Sequence, residues 1–372
     1  MEKLSKLNLS IFLTQGTKLK KLEENGNLIK EITPINVLAQ YFNQIFLFTY
    51  GKKDKDLKSK LKPNIKIISK PLLIPSRYYK YIYPFLFFNI IKKSHFLKTN
   101  QINGSEAAII AKKINPKAKL IIRTGYTASL FDKQGGKDPS INLKREKKAY
   151  KKCDFALVTS QADKDYIIKK FSLSKEKIKV IANYVDTDLF KPISLEKYEN
   201  KIIFIGRFYN PEKNITSLIE ALKGSGIELD IIGRPKNTSG IENLSKENKV
   251  KINFLGIIPN EQIPEILNQY KIFVLPSLYE GMPKALLEAM SCGLACIATN
   301  VAGNREVIKD NENGLLCETS PQSLREAITK LIDNNDLIEK LGINARKYTV
   351  EKFSLKEKIK DEIKIYENLI NA

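Results

Sequence analysis

Short β-rich runs alternate with helical stretches twice over in this sequence, and that double series leaves few folds open. The first series begins with "LSIFLT" (Leu9 to Thr14), a loop containing Gly16 and Gly26, a helical stretch from Ile29 to Phe42, and "IFLFTYG". It continues through the helical "SEAAIIAKKI", "KLIIRTG", a basic helix near Asn142 to Lys152, and "FALVTS", and closes on "KIKVIANYVDTDLF". A fresh series opens at "KIIFIGRF" (Lys201 to Phe208). It runs through a helix at Ile215 to Leu222, "LDIIGRP", "KINFLGIIP", a helix at Glu261 to Gln269, "KIFVLPS" and "ACIATN". Strand–helix alternation of this kind specifies parallel sheets covered by helices, here one per series. The boundaries read from the sequence are a first domain over 1–195, a second over 196–354, and a C-terminal amphipathic helix over 355–372 packing back toward the first. The hinge is expected between Phe190 and Lys201, through Pro192.

At 372 residues, two cores are the natural expectation. No apolar run approaches the roughly 18–20 residues of a membrane span. The N-terminal "MEKLSKLNLSIFLTQG" lacks a signal-peptide pattern, so a cytoplasmic protein is expected. Four cysteines without a framework and a single histidine, His95, argue for buried thiols rather than a zinc site or histidine-based nucleophilic catalysis. The net charge of +22 is lopsided. Through Leu195 there are 39 basic against 16 acidic residues, and beyond it 24 against 25. One half therefore faces something anionic. Nucleic acid is not the expected partner, because no recognisable nucleic-acid-binding module is present and the cations are scattered.

The segment "SLYEGMPKALLEAMSCG" places Glu280 beside a Gly-x-Pro step and Glu288 in the helix after it. Pro283 is expected near the first helical position, where free amides and the macrodipole favour anions. Two carboxylates there suit the hydroxyls at both ends of a nucleotide sugar. The plainer alternative is a favourable helix-start charge and an acid on a solvated face. "FIGRFYNPEKN" adds Arg207 after a strand and Lys213 before a helix, a fork and a point charge suited to a diphosphate. In open parallel sheets, ligands bind at these carboxyl ends.

Together "IGRFYNPEKNITSLIEAL", "SLYEGMPKALLEAMSCGLACIATNVAGNREVI" and "NYVDTDLF" resemble the retaining glycosyltransferases of family 4. The likeness covers most of Lys177 to Leu316 and includes the E-x7-E spacing. It implies an α/β GT-B fold, two doubly wound Rossmann-like domains facing a central cleft. It also implies that Arg207, Lys213 and Glu280 carry the chemistry, the two cations on the departing diphosphate and Glu280 on the transferred sugar. Glu288 would take the ribose hydroxyls, and the amides of Gly281 and Met282 would face the sugar and phosphates. Ile257 and Ile258 would edge the base, and Gly16 or Gly26 would let the first loop approach the phosphates. Where the family often has a histidine after a central strand, "IIRTGY" offers Arg123 or Thr124. The "D-T-D" of Asp186 to Asp188 imitates a metal motif but falls on a structural turn of the family, so no metal cofactor is expected.

"RYYKYIYPFLFFNIIKK" (Arg77 to Lys93) reads either as a helix pair buried in the first domain, interrupted at Pro84, or as an interfacial segment on an anionic membrane. The function expected is sugar transfer from a nucleotide-diphosphate donor to a glycan or lipid-linked acceptor in envelope polysaccharide or glycoconjugate synthesis. The basic domain would rest on the inner face of the cytoplasmic membrane. The alternatives are a sugar-nucleotide hydrolase or epimerase of the same fold, and a non-catalytic nucleotide-sugar-binding protein at the membrane.

Overall fold

A computed structural model describes residues 4–71, 73–234 and 238–371. Met1 to Lys3, and Pro235 at the end of "LDIIGRP", lie outside the described residues, as do the side chains of Ser76 and Arg77. The chain divides into two units, Met1–Ala182 with Lys358–Ala372, and Asn183–Glu357.

The boundary falls at Ala182 and Asn183, ahead of the expected hinge between Phe190 and Lys201. Hydrogen bonds explain the shift. Asn183 Nδ2 donates to the Met282 carbonyl at 2.7 Å, and Ser291 Oγ donates to Phe190 O at 2.5 Å. The Arg346 guanidinium donates to the carbonyls of Phe190 and Thr187. Asn268 receives Ile193 N–H and donates to Lys191 O. The polar stretch around Pro192 is thus fastened to the second unit.

The first unit carries seven parallel strands: β1 Asn8–Phe12, β2 Gln44–Phe48, β3 Ile65–Ile68, β4 Phe96–Thr99, β5 Lys119–Thr124, β6 Phe155–Val158 and β7 Ile178–Val180. Their order across the sheet is β3-β2-β1-β4-β5-β6-β7. Strands covered on both faces need apolar residues at successive positions, and β1, β2 and β4 are buried nearly throughout. The β4 sequence "FLKT" admits Lys98 only because Glu362 on the C-terminal helix Leu355–Asn371 pairs with it. Tyr366 of that helix is fully buried and meets Phe42 and Phe96 edge-on at 5.1 and 4.8 Å.

The aromatic stretch forms two helices, Ser76–Leu86 and Phe88–Lys93, with some rings buried and others exposed. Tyr79 and Tyr83 are buried, the latter stacked 5.3 Å from Phe48. Tyr78, Tyr81, Phe85, Leu86 and Phe88 are exposed. The first helix runs through Pro84 and breaks only at Phe87.

The second unit has six parallel strands: β8 Lys201–Ile205, β9 Glu228–Ile232, β10 Ile252–Gly256, β11 Ile272–Leu275, β12 Ala295–Thr299 and β13 Leu315–Cys317. Their order is β10-β9-β8-β11-β12-β13. The winding reverses between β8 and β11, so the loops leaving those two strands diverge to opposite faces and leave a crevice at their carboxyl ends. The four cysteines are free and buried, and burial pushes the thiols of Cys153, Cys292 and Cys317 up to about 12. Such thiols are packing groups, not nucleophiles.

Candidate active site

The reversal point of the second sheet brings two loops together, and each is shaped by close backbone contact. After β8, Gly206 lies under Gly233, where an added Cβ would stand 2.1 Å from the Gly206 carbonyl oxygen. Only glycine fits there. Arg207 O then accepts from Asn210 N–H at 2.9 Å, and Pro211 opens a single 3-10 turn, Pro211–Lys213. Asn214, left-handed at φ 51°, swings the chain into the helix Ile215–Leu222, and its Nδ2 donates to Thr319 O at 3.0 Å. Lys213 is thereby held at the lip of a rigid turn.

After β11, Thr299 Oγ1 donates to the carbonyl of the fully buried Ser277 at 2.5 Å. Leu278 N–H donates to Glu212 O at 2.8 Å, which sews the two loops to each other. The side chains complete the seam. Glu280 Oε1 accepts from Lys213 Nζ at 2.5 Å and from Ser277 Oγ at 2.7 Å. The pair is largely shielded, its side chains 16% and 10% exposed. One of the three lysine donors is engaged there, which leaves two to face a ligand. A cation and an acid fixed side by side, in part out of water, form a preorganised dipole at the strand ends.

Gly303 underlies this loop. A Cβ at that position would stand 2.1 Å from Gly281 O and 2.5 Å from Glu280 O. The helix Ala302–Arg305 thus sits directly against the glutamate loop, and Gly303 is needed for that approach.

The remaining expected residues divide. Arg207 shares the loop of Lys213 and is exposed. Gly281 and Met282 lead into the helix Lys284–Ser291, whose N-cap is Pro283, one position earlier than its expected place inside the first turn. The Met282 carbonyl is already engaged by Asn183. Glu288 is 4% exposed, so it does not occupy a solvated face, and it has a polar partner within the fold. Ile257, 43% exposed, and half-buried Ile258 follow β10 at the sheet edge.

In the first unit, Gly16 follows β1 at φ 84° with open space around its α-carbon. Gly26 instead follows the short helix Leu19–Glu24, its N–H donating to Glu23 O at 2.9 Å. Thr124 is a core residue, fully buried and hydrogen-bonded to Tyr150 Oη at 3.1 Å. Arg123 is buried, with its guanidinium 3.5 Å from Asn100 O. His95 precedes β4, at the amino end of the sheet, and its Nδ1 accepts from Asn8 N–H at 3.0 Å. Asp186 accepts from the N–H groups of Asp188 and Leu189, and Asp188 pairs with Lys356 at 2.6 Å, the pattern of a turn.

Ser277, Gly303 and Thr299 were not singled out from the sequence. Ser277 and Thr299 act through a carbonyl and one carboxylate oxygen, contacts without a spacing signature. Gly303 in "VAGN" is legible only as a glycine beginning a helix, where no turn demands one.

Comparison with known proteins shows what the second unit is similar to. The family described as "Glycosyl transferases group 1" matches residues 185–348. Residues 185–348 are thus similar to the group 1 glycosyl transferases. The family 4 resemblance of the motifs therefore stands, and the family stretch contains Arg207, Lys213, Glu280 and Glu288. An uncharacterized glycosyltransferase of Methanocaldococcus jannaschii is 31% identical over 60% of this chain and 60% of its own length. The UDP-Gal:alpha-D-GlcNAc-diphosphoundecaprenol alpha-1,3-galactosyltransferase of Escherichia coli is 30% identical over 57% of this chain and 60% of its own. The match thus spans about three-fifths of these curated relatives. Among solved structures, the sucrose-phosphate synthase of Thermosynechococcus elongatus superposes with a TM-score of 0.81 at 19% identity, over 98% of this chain and 100% of that one. That likeness shows the GT-B fold for this chain.

Proposed function

We propose that the protein is a retaining glycosyltransferase that moves a sugar from a nucleotide-diphosphate donor to a glycan or lipid-linked acceptor. The observation that carries this reading is the Lys213–Glu280 contact, which joins the loops after β8 and β11 where the sheet reverses. The Escherichia coli relative, whose name specifies a UDP-sugar donor and a diphosphoundecaprenol acceptor, supports it.

On this reading Lys213 and Arg207 bind the donor diphosphate. As the bond from the anomeric carbon to the diphosphate oxygen breaks, negative charge grows on the leaving group and the two cations stabilise it. Glu280, oriented by Ser277 and Lys213, accepts hydrogen bonds from sugar hydroxyls. The acceptor hydroxyl arrives on the face the diphosphate leaves and passes its proton to a phosphate oxygen, so configuration is retained. Fixed charges at the site of charge development supply much of the rate. Gly281 and Met282 line the sugar, Glu288 reaches the ribose, and Ile257 and Ile258 border the base. On this reading the two cations carry the charge of the leaving group and no metal ion is assigned a role.

The protein works on the inner face of the cytoplasmic membrane, in envelope glycan synthesis, with its basic first unit toward anionic lipid. No described helix is long and apolar enough to cross a membrane. The test is a thermal-shift screen of UDP-, GDP- and ADP-sugars, followed by transfer trials with the best donor and NMR of the product anomer. An α-sugar donor giving an α-linked product supports the reading, and inversion overturns retention. Free sugar released without any acceptor would replace transfer by hydrolysis.

A further inference from the structure

The carboxyl ends of β1, β2 and β3 in the first unit enclose a second feature that the donor site does not use. A hollow of about 690 Å³ lies there, walled by Lys18, Lys20, Lys21, Lys52, Lys53 and Lys70. Its acids do little to neutralise them. Asp54 is fully buried and receives the N–H groups of Leu19, Lys20 and Gly51 at 3.0, 3.1 and 3.1 Å, which leaves Glu24 as the acid at the rim. Lys20 has Glu23 3.7 Å away, whereas Lys18, Lys52 and Lys53 have no carboxylate partner among the described residues. Lys70 is buried, and its ammonium is pulled below its ordinary value by burial first and then by Lys52 and Lys18. Like charges gathered round a concavity raise the free energy of the empty site, and a multivalent anion relieves that repulsion.

The hollow has an apolar rim on one side. Leu73, Ile74 and Pro75 line it, Leu73 being 95% exposed, and the chain then enters the helix Ser76–Leu86. That helix and the next present Tyr78, Tyr81, Ile82, Phe85, Leu86 and Phe88 to solvent, with Lys92 and Lys93 exposed at the end of the second. Contiguous exposed rings and aliphatic groups beside lysines match the boundary between headgroups and acyl chains. A free nucleotide or polyanionic glycan would use the lysines but not this edge.

We infer that the hollow binds the phosphate or diphosphate headgroup of a lipid whose tail lies along the exposed aromatic edge. Naming that lipid as the acceptor rests on the transfer reading above; the binding itself does not. Lysine suits the task as a mobile point charge for oxygens on several faces of a phosphate.

The experiment measures binding without any donor. Titration calorimetry with sodium pyrophosphate compares the wild type with Lys18→Gln/Lys52→Gln/Lys53→Gln and with a control of equal charge removal on exposed positions of another helix, Lys144→Gln/Lys147→Gln/Lys148→Gln. Loss of about tenfold or more in the first triple, the scale of a single charge-assisted hydrogen bond, is expected, and the control should stay within about twofold. Equal losses in both triples, or no binding by the wild type, would overturn the site. Flotation then identifies the source of the phosphate. Phosphatidylcholine vesicles carrying a polyprenyl diphosphate should retain the protein better than phosphatidylglycerol vesicles of the same surface charge. Phe85→Ser/Leu86→Ser should weaken flotation and spare pyrophosphate binding. Indifference between the two vesicles, or to the Phe85/Leu86 change, overturns the lipid. Lys213→Ala removes a donor-site contact to pyrophosphate but should leave flotation on polyprenyl diphosphate vesicles, and the loss caused by the first triple, unchanged, so failure here and failure of the donor assignment are separable.

Discussion

The two units share a winding scheme and differ in how they specify their strand ends. In the second unit the loops after β8 and β11 are locked by backbone contact, through Gly206 against Gly233, Gly303 against Gly281, and Leu278 hydrogen-bonded to Glu212. In the first unit the corresponding ends are walled with lysines, and much of the surface beyond them is aromatic. The chain through Leu195 holds nearly all the excess positive charge, while the rest is close to neutral. A site that must fix one small ligand geometry is built from backbone contacts that tolerate one residue type. A site that must receive a variable amphiphile is built from charge and exposed area, which many sequences supply.

Breaking the first unit's internal anchor should give the largest effect. Lys98 and Glu362 form a shielded pair, 7% and 4% exposed, between β4 and the C-terminal helix. Glu362→Ala leaves a buried ammonium alone and should cost about 3–5 kcal/mol in urea unfolding. Lys98→Met with Glu362→Leu should recover most of it, because an apolar pair needs no compensation. If the single change costs under about 1 kcal/mol, the pair does not anchor the helix. Donor binding by the second unit should survive wherever the protein remains folded.

Next comes the donor side. Lys213→Ala should slow transfer by about 10²–10³, the scale of one lost preorganised group at a developing charge. Melting should shift by no more than a few degrees, because Leu278 to Glu212 still ties the loops. Near wild-type turnover would remove Lys213 from the chemistry. Gly303→Ala tests the same loop through the backbone, where relieving the clash should cost about 1–3 kcal/mol and lower transfer as well. Gly16→Ala in the first unit meets no neighbour but sits at φ 84°, so only the conformational penalty of about 1 kcal/mol applies. Equal costs at Gly303 and Gly16, read from denaturant midpoints, would erase the distinction drawn between the units.

The same distinction explains what the sequence made legible. "IGRFYNPEKN" and the E-x7-E spacing are local patterns, and the structure joins Lys213 to Glu280 across them. The strands "KIIFIGRF" and "KIFVLPS" are continuous apolar runs ending in turn residues, so β8 and β11 stood out. β4 did not, because "FLKT" carries a lysine whose partner lies 264 residues away. β3 did not, because "IKII" is short and its lysine faces water. The burial of Thr124 was not legible since its partner, Tyr150, comes from a helix that sequence spacing does not align with it. The unit boundary at Ala182 and Asn183 was not legible because what fastens the stretch from Asn183 to Lys191 is side chains on the carbonyls of Met282, Phe190 and Lys191, which composition does not reveal.

The smallest expected effect is a difference in proton response. The chain has one histidine, so only the first unit contains imidazole. His95 Nδ1 must be unprotonated to accept from Asn8 N–H, and burial lowers its pKa from the usual 6.5. The unfolded chain therefore binds this proton more readily than the folded one. The contribution of His95 is fully present above the unfolded value near 6.5 and declines as pH falls toward the folded value. Because the ring is exposed, the change should amount to a fraction of a titrating group's full effect. NMR titration of the single imidazole Cε1–H signal gives the folded pKa without any assignment problem, and it should lie below 6.5. The difference in unfolding free energy between wild type and His95→Gln should shrink from pH 7.5 to pH 5.5. A folded pKa above 6.5 would mean that the ring donates rather than accepts at the start of β4, and the pH difference between the units would then have the opposite sign.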